Sequence, residues 1–160
     1  MDDLSDSLAS EVVQELADLG LTLGFAESLT GGMISSGIVS VPGASKVFKG
    51  SVVSYTNDVK INLLGVNPEV ISEFTEVSDK CAEQMALGAS RLLGCNIALS
   101  VTGIAGPGGA LPGKPVGTVY AGVSFRDLSY SFRLQLTGDR EKIRIATCEA
   151  VYREILHLVG

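Results

Sequence analysis

Apolar positions in this chain follow two different periods, and the switches between them mark the elements. Leu8, Val12, Val13, Leu16 and Leu19 recur at helical spacing, which predicts a first helix from about Ser5 to Leu19, closed by Gly20. Leu21 to Ala26 is a compact apolar run and reads as a strand. A turn at Ser28 follows, then a helix to about Val39, stopped by Pro42 and Gly43. Val52 to Thr56 reads as a buried strand, and Asn57 as the N-cap of a short helix through Lys60 to Leu64, closed by Gly65. Asn67-Pro68 opens another short helix, with proline at its favoured first position. Ser78-Asp79 caps a longer one through Met85 to Leu93, closed by Gly94.

The second half changes character. Asn96 to Val101 is a short apolar strand, and Gly103 to Pro115 is a loop rich in glycine and proline. Val116 to Phe125 and Leu128 to Leu136 alternate like neighbouring strands around an Arg126-Asp127 turn, and a last helix runs from Asp139 to about Leu158. Helices and strands that alternate early and a hairpin that comes late predict an α/β fold, a three-layer α/β/α sandwich on a mixed, mostly parallel sheet. Four loops then lie at strand ends, after Ala26, Thr56, Val101 and Leu136. Ligands of open α/β sheets collect at the carboxyl ends of parallel strands. Sequence does not tell whether the four loops share one edge.

Composition narrows the classes. The 160 residues are 46% hydrophobic and 19% charged, so residues 1–160 are expected to form one globular domain. A net charge of −6 with no tryptophan speaks against tracking a long nucleic acid, which calls for a basic face. Cys81, Cys95 and Cys148 are odd in number and scattered, so neither a zinc site nor a disulfide framework follows, and reduced, mostly buried thiols are expected. The N-terminus is acidic and shows no signal-peptide pattern. No apolar run is long enough to span a bilayer. The expectation is a cytoplasmic protein with no membrane partner.

The first candidate chemistry is Glu27-Ser28-Leu29-Thr30-Gly31-Gly32, between a strand and a helix start. A serine there has backbone N–H groups and the positive end of the helix dipole beside it, an environment that favours an oxyanion. The plainer account is that Ser28 or Thr30 is only an N-cap. The second is Tyr55 to Lys60. A lysine in a first helical turn faces the dipole and desolvation, both of which disfavour its charged form, and a neutral lysine can take a proton from serine. Tyr55 could hold the amine or relay the proton; as a plain alternative, it is a sheet aromatic and Lys60 a surface charge.

Thr102-Gly103-Ile104-Ala105-Gly106-Pro107-Gly108-Gly109 is neither a Walker loop nor a dinucleotide fingerprint. It either offers bare N–H groups to an anion or is simply a tight loop. Arg140 and Arg144 share a helix face and either clamp a phosphate or form a solvated face with Glu141. The one histidine, His157, sits far along the last helix, which argues against His-dependent catalysis and a zinc hydrolase.

Five motifs, in order across nearly the whole chain, resemble the C-terminal domain family of the competence/damage-inducible protein CinA, which includes stand-alone nicotinamide-nucleotide amidases. They are Ala26 to Gly32, Tyr55 to Lys60, Thr102 to Gly109, Lys114 to Val119 and Gly138 to Arg140. The resemblance implies a fold similar to anticodon-binding domains and metal-free, cofactor-free hydrolysis of nicotinamide mononucleotide to nicotinate mononucleotide and ammonia, in pyridine nucleotide recycling. It implies Ser28 as nucleophile, with Lys60 and Tyr55 completing the catalytic set. Thr30, Gly31 and Gly32 are expected to supply oxyanion donors, and Thr102, Gly103, Gly106 and Arg140 to bind ribose and phosphate. Larger family members carry a further N-terminal domain, for which this chain is too short. Leu29 stands where many members have cysteine, and Ala110 to Gly113 carries less charge than expected. A homo-oligomer is the expected state. Two other readings stay open: a non-catalytic nucleotide sensor, and the same serine chemistry on another small amide.

Overall fold

A computed structural model describes residues 2–160. Helix α1 (Asp3–Leu19) opens where the Asp2 carboxylate accepts from the Ser5 N–H at 2.9 Å, and it ends at Gly20, whose φ of 68° suits the left-handed cap. Strand β1 (Leu23–Glu27) is buried along its whole length. Helix α2 (Met33–Val39) and a short 3-10 turn (Ala44–Lys46) lead into β2 (Phe48–Val53). Helices α3 (Asn57–Leu64), α4 (Pro68–Phe74) and α5 (Asp79–Leu93) follow without an intervening strand. Strands β3 (Ile97–Gly103), β4 (Thr118–Phe125) and β5 (Leu128–Gln135) precede the long closing helix α6 (Arg140–Val159).

The strands form one mixed sheet in the order β2-β1-β3-β4-β5. β1 runs parallel to β2 and β3, whereas β4 is antiparallel to both its neighbours, so β4 alone points the other way. Helices α1, α2 and α6 cover one face, with Leu16, Phe25, Leu99, Val123 and Tyr152 in that core. On the other face α5 lies across the sheet and holds α3 and α4 outside it, over a smaller core that includes Met85, Ala89 and Leu64. This is the expected three-layer α/β/α arrangement. Its topology brings the carboxyl ends of β1, β2, β3 and β5 to one edge, so the four loops at strand ends do converge there.

Among the boundaries that differ from the sequence expectation, two adjoin the Tyr55 to Lys60 segment. The second strand runs over 48–53 rather than 52–56. It is an edge strand with one neighbour, and only Val52 in it is buried, so no apolar run marks its beginning. At α3 the cap position belongs to Thr56, in extended conformation, and Asn57 is already helical.

The layer spacing depends on Gly122. A Cβ there would stand 2.1 Å from the Ala82 carbonyl oxygen and 2.6 Å from Ser100 Oγ, because α5 rests directly on the β4 backbone. Gly122→Ala is expected to cost about 3 kcal/mol in denaturant unfolding. An unchanged midpoint would show that α5 can shift at no cost.

Candidate active site

Ser28 is placed by its neighbour Glu27. That side chain is fully buried, and its Oε1 accepts from the Thr30 hydroxyl at 2.7 Å, the Ile34 N–H at 3.0 Å and the Gly32 N–H at 3.1 Å. Its Oε2 accepts from the Ser35 N–H at 3.0 Å and from the Ser35 hydroxyl. Glu27 thus satisfies the orphan donors of α2, whose cap residue Gly32 has no side chain to do so. From the other side Arg144 on α6 donates to the Leu29 carbonyl at 2.9 Å and the Thr30 carbonyl at 3.0 Å. Capping is therefore done by Glu27, and Ser28 is left free of it.

The Ser28 hydroxyl meets Lys60 instead. Lys60 is 1% exposed, and its Nζ lies 3.1 Å from Ser28 Oγ, 2.7 Å from the Ser54 carbonyl oxygen and 3.4 Å from that of Tyr55. Burial pushes its pKa below the ordinary lysine value, while the charges of Cys81 and Glu76 act the other way. Burial also pushes the Cys81 thiol up to about 11, so at neutral pH it carries no charge and Glu76 is the anion that Lys60 feels. A neutral amine has two N–H groups and one lone pair. With both carbonyls taking the N–H groups, the lone pair is left for the Ser28 hydroxyl proton.

Both residues open onto a cavity of about 260 Å3 at the converging strand ends, walled by Tyr55, Glu76, the 102–109 loop and Arg140. Thr102, Gly103 and Gly106 lie in this wall, and the Thr102 hydroxyl donates to the Glu76 carbonyl at 2.8 Å. Arg140 spans the mouth, giving one N–H to the Gly106 carbonyl at 2.8 Å and another to the Tyr55 hydroxyl at 3.3 Å. Tyr55 touches Lys60 through its carbonyl, while its hydroxyl faces Arg140. Thr30, Gly31 and Gly32 stand apart. Thr30 and Gly32 are bound to Glu27, the Gly31 N–H donates to the Ser28 carbonyl at 3.1 Å, and none of the three lines the cavity. The amides expected as oxyanion donors at Gly31 and Gly32 are already taken. Arg144 is likewise held by the turn and stays out of the cavity wall.

Sequence reading passed over Glu27 and Glu76. The signal for Glu27 was a carboxylate closing a wholly apolar strand just before a glycine pair, a position where an acid needs several donors. Glu76 gave no signal, since its place depends on a turn between two helices. Among the described residues no group of three or more His, Cys, Asp or Glu is placed to hold a metal ion. Cys81, Cys95 and Cys148 are buried and unpaired, and no described helix is long and apolar enough to cross a membrane.

A buried serine–lysine pair beside a cavity at the carboxyl edge of a three-layer α/β/α sheet defines the class of α/β protein to which this chain belongs. The chain belongs to the CinA C-terminal domain family, whose model matches residues 5–159. It is 51% identical over 142 residues to a CinA-like protein of Dictyoglomus thermophilum, covering 88% of this chain and 34% of that one. A CinA-like protein of Kosmotoga olearia is 45% identical over 158 residues, covering 96% and 38%. The chain thus spans about a third of the length of these curated relatives. Among solved structures, the competence/damage-inducible protein CihA of Agrobacterium tumefaciens superimposes with a TM-score of 0.97 at 35% identity, over 100% of this chain and 98% of that one. A CinA superfamily protein of Escherichia coli gives 0.93 at 28% identity, over 99% and 93%.

Proposed function

We propose that this domain hydrolyses the carboxamide of nicotinamide mononucleotide, giving nicotinate mononucleotide and ammonia. The observation that carries the reading is the 3.1 Å contact between a desolvated Lys60 amine and Ser28 Oγ at the wall of a cavity. In this reaction Lys60 takes the Ser28 proton as Oγ attacks the amide carbon. The resulting ammonium passes that proton to the departing nitrogen, and ammonia leaves the acyl-serine. Lys60 then draws a proton from water, whose oxygen attacks the acyl carbon, and Ser28 recovers its proton from Lys60. The Ser54 and Tyr55 carbonyls hold the amine throughout. Arg140 keeps donors free for the phosphate at the mouth, and the 102–109 loop closes over the ribose. With the Gly31 and Gly32 amides engaged, the oxyanion donors belong on the cavity side, among the amides of Ala105, Gly106, Gly108 and Gly109, since the Ile104 N–H already donates to the Thr118 carbonyl.

The same proposal has the domain acting in the cytoplasm, as a homo-oligomer. The test is ammonia release from nicotinamide mononucleotide with a chelator present, read beside the melting temperature. Release sustains the amidase. A raised melting temperature without release turns the reading to a nucleotide sensor, and neither effect removes this substrate.

A further inference from the structure

Glu76 is an anomaly in the cavity wall. The proposed reaction needs a neutral Lys60, yet a carboxylate lines the same cavity, and its charge opposes that state. Its carboxylate accepts no hydrogen bond from a described side chain or backbone N–H, although the segment that carries it is held from several directions. Lys114 Nζ donates to the Phe74 carbonyl at 2.7 Å, to Thr75 Oγ1 at 3.1 Å and to the Val77 carbonyl. Thr102 holds the Glu76 carbonyl itself. Thr75 adopts a φ of 69°, a conformation that a β-branched residue takes only when its surroundings impose it. A half-buried anion placed so firmly, without a partner of its own, is set to receive a cation.

The remaining charge in the wall is Arg140, at the mouth. The cavity wall therefore carries an anion close enough to Lys60 to act on its charge and, at the mouth, a cation. Resting on the nucleotide reading above, the geometry points to Glu76 as the residue that recognises a positively charged ring next to the scissile carboxamide, with Arg140 taking the anionic end. A pyridinium mononucleotide has this charge order. Its product, which gains a carboxylate where the amide was, meets repulsion from Glu76 at the same place. Binding of a cationic ring also screens Lys60 from the Glu76 charge, so the proper substrate itself favours the neutral base. Glu76 is thus a specificity residue, and it serves the base only through the substrate.

The test compares oxidised nicotinamide mononucleotide with its reduced, dihydropyridine form, which keeps the ribose, phosphate and carboxamide and loses the ring charge. Binding is measured by calorimetry in the Ser28→Ala protein, where turnover does not interfere. The expected result is a preference of about ten-fold for the oxidised form. Glu76→Gln in that background should reduce it to within about two-fold by weakening the oxidised form alone, while Glu76→Asp keeps most of it. Equal affinity for both forms, a preference that survives Glu76→Gln, or no binding of either would overturn the inference. Ammonia release by the unmodified protein is read separately. Preference without release leaves the recognition standing and sinks the amidase; release without preference does the reverse.

Discussion

Ser28→Ala and Lys60→Met are each expected to lower the proposed ammonia release by about ten-thousand-fold, with the double variant falling no further than either single one. The non-additivity follows from the geometry: the hydroxyl and the amine share one proton over 3.1 Å, so losing either ends the same step. A double variant much worse than both singles would mean that they act independently. In the unsubstituted protein activity should rise with pH on a limb centred below the ordinary lysine value of 10.5, since only the neutral amine accepts the proton. Burial of the Lys60 amine sets this limb, and the charges of Cys81 and Glu76 oppose the shift. Stability carries the same signature. With a depressed folded value, the unfolded chain binds a proton at Lys60 that the folded one refuses, so the native state loses stability as pH falls below 10.5 towards the folded value. Lys60→Met lacks this loss. Its stability relative to the parent should therefore improve as pH is lowered through that window, and a constant difference would contradict a depressed amine.

Glu27→Gln should cost about 3–5 kcal/mol in denaturant unfolding, far more than its near-equal size suggests. The two carboxylate oxygens accept from Thr30, Gly32, Ile34 and twice from Ser35, and every one of these partners is a donor. An amide has one acceptor oxygen. Turned either way, it points an NH2 group at the Ser35 N–H or at the Gly32 and Ile34 N–H groups, and buried donors then face a donor. Because the same turn carries Ser28, activity should fall with stability and return in part when the fold is supported by an excluded osmolyte. A loss below about 1 kcal/mol would show that water reaches the turn and satisfies it.

Much of the fold was legible because local chemistry and tertiary structure agree. The caps at Asn67, Ser78 and Asp139 all accept from the helical N–H groups that their positions imply. Gly20, Gly65 and Gly94 all take left-handed φ at helix ends. The second strand was misplaced because one paired edge and one buried side chain leave little pattern in sequence. The site divides in the same way. Ser28 and Lys60 could be proposed because each sits at an element boundary, and the sheet topology, not local sequence, brings them together. Thr30, Gly31 and Gly32 belong to the same motif as Ser28, yet they face Glu27 and Arg144, since a motif fixes a turn and not the side from which a ligand enters. Glu76 lay beyond local reading altogether, being set by Lys114 and Thr102 from distant parts of the chain.

The position of β1 has a consequence for the order in which the molecule assembles. β1 pairs on one side with β2, close in sequence, and on the other with β3, where the Thr22–Asn96 hydrogen bond joins residues 74 apart. A chain emerging from the ribosome has completed Ser28 and Lys60 well before β3 exists, while one edge of β1 still lies open. Closing so long a loop is slow, and an unpaired apolar edge invites intermolecular pairing. The Ser28–Lys60 pair is thus synthesised early and matures late, when the second half of the chain arrives to seal the strand that leads into Ser28.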